Sequence, residues 1–130
     1  FQQKDKLEFK LKKTRNEAIV FVDKDQILRV FNNLIKNAVQ SISKGEKGEV
    51  KIEIDVKAND FLISIKDNGH GMSEEQKQKI FIPYFTTKTT GTGIGLPIAK
   101  KIIENHNGTI NYESELNIGT TFFVQLPKHI

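Results

Sequence analysis

Val50, Ile52, Ile54 and Val56 alternate with Lys51, Glu53 and Asp55, a period of two that predicts a strand with one buried and one wet face. Asn59-Asp60 turns the chain, and Phe61-Leu-Ile-Ser-Ile65 returns antiparallel into Asp67. Leu7, Phe9 and Leu11 alternate with charged residues in the same way, and Ala18–Val22 is a second β-favouring run ended by Asp23. The period then changes. From a cap at Asp23 or Asp25, apolar residues recur at helical spacing to about Ser43, and Gly45 and Gly48 mark the turn that follows.

Ser73-Glu-Glu-Gln76 is a capping box and predicts a short helix behind it. Residues 82–92 lack periodicity and are rich in threonine, which predicts a loop. Ile94, Ile98, Ala99, Ile102 and Ile103 have the spacing of one helix face, with Pro97 in the first turn where its missing N–H is no loss. Asn107-Gly108 ends that helix, and Thr109–Glu113 and Thr120–Leu126 are two strands joined through Asn117–Gly119. The fold class expected is α+β: a two-layer sandwich, its sheet mixed but mostly antiparallel, covered on one side by about three helices.

With 130 residues the chain is expected to be a single domain, residues 1–130, with a core of its own. It has no cysteine, which excludes disulfides and thiolate metal sites and suits a reducing compartment. The longest apolar runs are a few residues, so nothing in them spans a membrane, and there is no signal-peptide pattern. The chain begins at Phe1 and its one methionine is Met72, so it is expected to be part of a larger protein. The net charge of +4 lies within the first fifteen residues, and Arg15 and Arg29 are the only arginines. That is a poor supply for reading phosphate backbone or base edges, so no nucleic-acid partner is expected.

Three constellations carry candidate chemistry. On a helical wheel advancing about 100° per residue, Gln40, Asn33 and Asn37 fall within about 60° of one another, while Phe31, Leu34, Ile35, Ala38 and Ile42 fall on a separate apolar arc. The amides therefore form a stripe facing away from that arc. Asn37 can offer a neutral amide oxygen to Mg²⁺, an ion that keeps several waters and takes other ligands from phosphates. Asn33 can hydrogen-bond a phosphate or an ordered water. Asp67 precedes two closely spaced glycines, Gly69 and Gly71, which let the backbone approach a flat ring. Its carboxylate matches the exocyclic amine of adenine and meets the carbonyl of guanine lone pair against lone pair.

The third is Gly91-Thr-Gly-Ile-Gly-Leu96, which opens the later helix. It is neither a Walker A loop nor a dinucleotide fingerprint, since no Gly-Lys-Ser/Thr follows and no strand precedes it. Its backbone N–H groups still suit a polyphosphate at a helix N-terminus. Lys88 and the hydroxyls of Thr86, Thr87, Thr89, Thr90 and Thr92 add to the same loop. Five of the nine glycines lie between residues 69 and 95, which favours a backbone-built site over scattered turns.

In this order the motifs resemble the catalytic ATP-binding domain of sensor histidine kinases, in the superfamily that also holds gyrase, mismatch-repair ATPases and the large heat-shock chaperone. Asn33-Leu-Ile-Lys-Asn37-Ala matches the asparagine box, Asp67-Asn-Gly-His-Gly71 the first glycine box, Phe81-Ile-Pro-Tyr-Phe85 the phenylalanine box and Gly91–Leu96 the second glycine box. Gly119-Thr-Thr-Phe122 resembles the terminal Gly-Thr-x-Phe motif. The resemblance implies ATP and Mg²⁺ as cofactors, with the metal on Asn37. It puts the nucleotide on Asn33, Asn37, Asp67, Gly69, Gly71, Thr86, Thr87, Lys88, Gly91, Thr92, Gly93, Ile94, Gly95, Leu96 and Thr120, and catalysis on Asn33, Asn37 and Lys88. It implies transfer of the γ-phosphoryl group to a histidine on a separate helical module of the same protein, with a response regulator as the next partner. It implies a cytoplasmic domain, not itself touching membrane, whose parent can be anchored in the inner membrane.

Relatives that hydrolyse ATP carry a glutamate general base where this chain has Asn33, and the span 86–90 is short for a lid; both features favour the kinases. The chain departs from the family pattern at Gln40, where many members have a basic residue, and at Pro97. No phosphoacceptor histidine followed by an acidic residue is present: His70 reads as a turn, His106 as a helix end and His129 as a terminus. An ATP-driven conformational clamp and an anti-sigma-type serine kinase are the rival readings.

Overall fold

The computed structural model describes residues 8–13 (backbone only), 22–43, 47–83 and 95–128. The expected strand before Asp23, at 18–21, and the loop from 84 to 94 lie outside them.

The alternating stretches form the centre of the sheet. Glu49–Val56 (β2) and Asp60–Asp67 (β3) pair antiparallel, with Val50 opposite Asp67 and Val56 opposite Phe61. Thr109–Glu115 (β4) and Gly119–Pro127 (β5) form the second hairpin, and β5 inserts against β3 so that Thr120 lies opposite Asp67. Glu8–Lys13 (β1) adds in parallel to β2, which gives the order β1-β2-β3-β5-β4. A parallel neighbour needs a long crossover. Here the crossover contains the first helix, Lys24–Gln40 (α1).

That helix starts where the sequence says, since the Asp23 side chain accepts from Gln26 N at 3.1 Å as an N-cap. It stops at Gln40, short of the expected Ser43, with Ser41 as C-cap. Ser73 and Gln76 exchange both bonds of the capping box ahead of Glu74–Lys77 (α2). Gly95–Asn105 (α3) carries Pro97 in its first turn and ends on Asn107, whose φ of 62° takes the left-handed conformation that terminates helices.

All three helices are gathered on one face. Val30, Leu34 and Ala38 of α1 and Ala99, Ile102 and Ile103 of α3 meet Phe61, Ile63 and Ile65 of β3 and Phe122, Val124 and Leu126 of β5 in one core. The opposite sheet face holds Lys51, Glu53 and Asp55, none of them buried, as the alternation requires. Leu34 is wholly buried, and its truncation to alanine would cost about 2–5 kcal/mol.

α1 and α3 run antiparallel, and side chains tie both ends of the pair. At one end His106 Nδ1–H donates to the Ile102 carbonyl at 2.8 Å, and its Nε2 therefore accepts the Asp23 N–H at 3.1 Å. At the other, Asn33 Nδ2 donates to the Gly95 carbonyl at 3.3 Å. The amide stripe is thus turned toward α3. The buried residues of α1 are Val30, Leu34 and Ala38, which fall at about 60°, about 100° and about 140° on the wheel, so the asparagines border the buried arc. Asn33 and Asn37 are half-buried at the edge of that arc, and Gln40 is exposed.

Candidate nucleotide site

β3 ends in a carboxylate that the fold buries. Asp67 is 3% exposed, and its Oδ1 accepts the Gly69 N–H at 2.9 Å and the Thr120 N–H at 3.3 Å. The first bond comes from the tight turn after the strand, the second from the β3–β5 register. Burial pushes the Asp67 carboxyl above the ordinary carboxylate range; the Gly69, Ser41 and Thr120 hydrogen bonds and the nearby His70 pull the other way without cancelling it.

The loop that follows is laced on both sides. His70 N–H donates to the Ser41 carbonyl at 3.0 Å, and the His70 carbonyl accepts Asn117 N–H at 2.7 Å. Asn68 reaches back to accept the Glu49 N–H at 2.8 Å and donate to the Lys47 carbonyl at 3.1 Å. Two glycines are required by contact. A Cβ on Gly69 would come within 2.0 Å of Ser41 Oγ, and one on Gly71, whose φ is +67°, within 2.1 Å of the Glu115 carbonyl.

Thr120 is also buried, and its hydroxyl meets Ser114 Oγ at 2.8 Å. Ser114 donates to the Gly119 carbonyl at 3.2 Å, so Thr120 supplies the proton of their shared bond; Ser114 Oγ also accepts Met72 N–H at 2.8 Å. Ser114 was not singled out in the sequence because the expected strand stopped at Glu113. The signal was present: a hairpin turning at Asn117 pairs 114 with 120. Tyr112 was missed as well. Its hydroxyl donates to the Lys77 carbonyl at 3.0 Å, and its ring lies 6.1 Å from both Phe81 and Phe122, which fixes the start of the phenylalanine-box segment against the sheet.

The fold therefore brings Asn33, Asn37, Asp67, Gly69, Gly71, Gly95 and Thr120 to one end of the helix–sheet sandwich. Asn33 touches the first residue of α3, while Ser41, two turns along α1 and about 12 Å further along its axis, touches the Asp67 loop. Leu96 is half-buried against the core. Thr86, Thr87, Lys88, Gly91, Thr92, Gly93 and Ile94 lie outside the described residues. Among the described residues no group of three or more His, Cys, Asp or Glu could hold a metal ion.

Residues 22–130 match the family described as histidine kinase-, DNA gyrase B-, and HSP90-like ATPase. The chain belongs to that family. The match supports ATP as the ligand of this domain. The chain is 42% identical to sporulation kinase C of Bacillus subtilis over 105 residues, which are 81% of this chain and 24% of that protein. It is 37% identical to the sensor histidine kinase ZraS of Escherichia coli over 131 residues, 99% of this chain and 28% of that protein. It thus spans about a quarter of the length of the curated relatives it matches. The catalytic domain of histidine kinase ThkA superposes with a TM-score of 0.83 at 38% identity, over 95% of this chain and 80% of that one. The sandwich expected from the sequence is the fold of that catalytic domain. Among the described residues no helix is long and apolar enough to cross a membrane.

Proposed function

We propose that residues 1–130 are one Mg·ATP-binding catalytic unit that transfers the γ-phosphoryl group to a histidine on a separate helical module, as in two-component signalling. The observation that carries the reading is Asp67: a carboxylate 3% exposed, held by two backbone N–H groups at the mouth of a glycine turn. A buried carboxylate kept against its desolvation cost suits a partner that donates to it, and the exocyclic amine of adenine is such a donor. Thr120 supports the carboxylate from β5, and Gly69 and Gly71 let the turn that presents it pack closely against Ser41 and Glu115.

Asn37 fits Mg²⁺ by the chemistry of its donor: a neutral, hard oxygen for an ion that would draw its remaining ligands from phosphate and water. When bound, the ion neutralises phosphate charge. The chain's own residues do the rest by position. Asn33 carries an amide that serves phosphate or water, and it offers no carboxylate base for water attack. Gly91, Gly93, Gly95, Leu96, Ile94, Thr86, Thr87, Thr92 and Lys88 are proposed to hold the phosphates through backbone N–H groups, hydroxyls and one cation.

A histidine acceptor needs no strong base, since its neutral imidazole already presents a lone pair. The similar proteins support this choice of acceptor: ZraS is a sensor histidine kinase, and ThkA, 33% identical with a TM-score of 0.77 over 94% of this chain and 34% of that chain, is known in complex with a response regulator protein, TrrA. We infer the same kind of partner here, and a cytoplasmic setting in which both could reach the domain. Calorimetry with ATP and GTP tests the base reading: ATP alone should bind with high affinity, and equal affinity for GTP would remove Asp67 from its role.

A further inference from the structure

α1 meets the base side of the site through one buried residue. Ser41 is 6% exposed, its carbonyl accepts His70 N–H at 3.0 Å, and its hydroxyl abuts Gly69. That hydroxyl has two acceptors in reach. It donates to the Ala38 carbonyl at 2.7 Å, and it packs against Gly69, whose N–H is bonded to Asp67 Oδ1, close enough to the carboxyl to lower its proton affinity. A serine hydroxyl carries one proton, so it serves one of them at a time. The Ala38 carbonyl also accepts the Ser41 backbone N–H at 3.2 Å and stays satisfied without the hydroxyl. The two backbone donors to Asp67 both fall on Oδ1.

We propose that Ser41 is a positioning residue for Asp67: its hydroxyl turns from the Ala38 carbonyl to the carboxylate and holds it in the orientation that receives the amine of the base. The inference rests on the reading of Asp67 as the base acceptor and deepens it. Ser41 acts through Asp67 and is not itself assigned to the base. It also connects the asparagine helix to the base carboxylate, since the residue that caps α1 is the one that sets Asp67.

The groups facing Asp67 make its protonation the sensitive readout. His70 is the titratable group acting on it through charge, while Val50 and Thr120, its register neighbours on β2 and β5, are neutral. Burial already raises the proton affinity of Asp67, and donation from Ser41 opposes that rise. Without the hydroxyl the carboxyl takes up a proton at higher pH, and a protonated carboxyl turns a donor toward a donor.

The test is ATP affinity by calorimetry from about pH 5 to about pH 8 in the wild type, Ser41→Ala, Ser41→Cys and Asp67→Asn. The titration of the ATP phosphates is common to all four and cancels in the comparison. In Ser41→Ala the acid-side loss of affinity should move to higher pH, with binding about threefold to tenfold weaker than wild type on that limb and converging with it at alkaline pH. Ser41→Cys, similar in volume and a weaker donor, should shift the same way by less, so the test stands even where alanine unfolds the chain. A profile superimposable on wild type, or an equal loss at every pH, overturns the role of Ser41 while Asp67→Asn still binds poorly. Wild-type affinity in Asp67→Asn overturns the underlying reading instead, and that variant alone tells the two failures apart.

Discussion

The amide nitrogen of Asn33 donates to the carbonyl of Gly95, 3.3 Å away, and so fastens the asparagine helix to the first residue of the helix that the second glycine box opens. Only a donor at position 33 can make this bond. The glutamate that ATP-hydrolysing relatives carry there would set an acceptor against an acceptor. Asn33→Asp should therefore lower stability more than Asn33→Ala, which should lose about 0.5–1.5 kcal/mol for one part-buried hydrogen bond. Urea unfolding of the three proteins checks the order, and an aspartate variant as stable as wild type would mean the contact contributes nothing.

Asp67 should show opposed effects on stability and binding. Its folded-state proton affinity is raised by burial, so between the ordinary carboxylate value and its raised folded value the native state holds a proton that the unfolded state has released. The carboxyl then contributes most to stability below the ordinary carboxylate range, and that contribution is lost as pH rises through its raised folded value. At neutral pH the buried charge is a net cost. Asp67→Asn keeps an acceptor for Gly69 and Thr120 without that cost, so its Tm at neutral pH should exceed wild type, with the difference shrinking in acid. ATP affinity should fall at least tenfold, from about 1.5–3 kcal/mol for a charge-assisted bond. A Tm below wild type at every pH would contradict the sign.

Gly69→Ala should be among the most damaging small substitutions in the chain. The new Cβ meets not only Ser41 Oγ but the Ser41 carbonyl at 2.5 Å, and a carbonyl at a helix end cannot swing aside. The loop must separate from α1, with the His70 N–H bond lost as well. A loss of about 1–3 kcal/mol is expected, with ATP affinity reduced alongside it. Thermal melts and calorimetry on the same sample would show the two falling together.

Much of this was legible locally, and the parts that were not share a cause. The β2–β3 hairpin, the Asp23 cap and the Ser73–Gln76 box follow from residues within a few positions of one another, and each forms as the sequence dictates. The end of α1 does not. Periodicity carries it to Ser43, but Ser41 gives its carbonyl to His70, a residue 29 positions on, and the helix closes there. The wheel leaves open what faces the asparagines for a similar reason: α3 packs beside them, which no window around Asn33 reveals. Ser114 and Tyr112 became visible only with the β4–β5 register and the position of α2. The boxes marked the site, and the tertiary contacts supplied the residues that support it.

His106 should behave as a latch with a definite tautomer. Nδ1–H is committed to the Ile102 carbonyl, so only the neutral ring can accept the Asp23 N–H with Nε2. His106→Ala should cost about 0.5–2 kcal/mol, because the N-terminal end of α1 loses an acceptor and α3 a tie to it. Hydrogen exchange at the Asp23 amide should quicken in the variant while the amides of β3 change little. Unchanged protection at Asp23 would show that the bond does not persist in solution.

Histidine phosphotransfer from the proposed site can be read in one assay. Labelled ATP and Mg²⁺ are mixed with this chain and with a full-length kinase of the parent type whose own ATP site is disabled but whose acceptor histidine is intact. Turnover by the chain alone should be slow, since Asn33 supplies no base for water. Transfer to the added protein should yield an acid-labile, base-stable phosphoramidate and be abolished by Asn37→Ala. Brisk ATP hydrolysis by the chain alone would instead indicate a clamp ATPase, and an acid-stable phosphoserine product a serine kinase; either result would overturn histidine phosphotransfer.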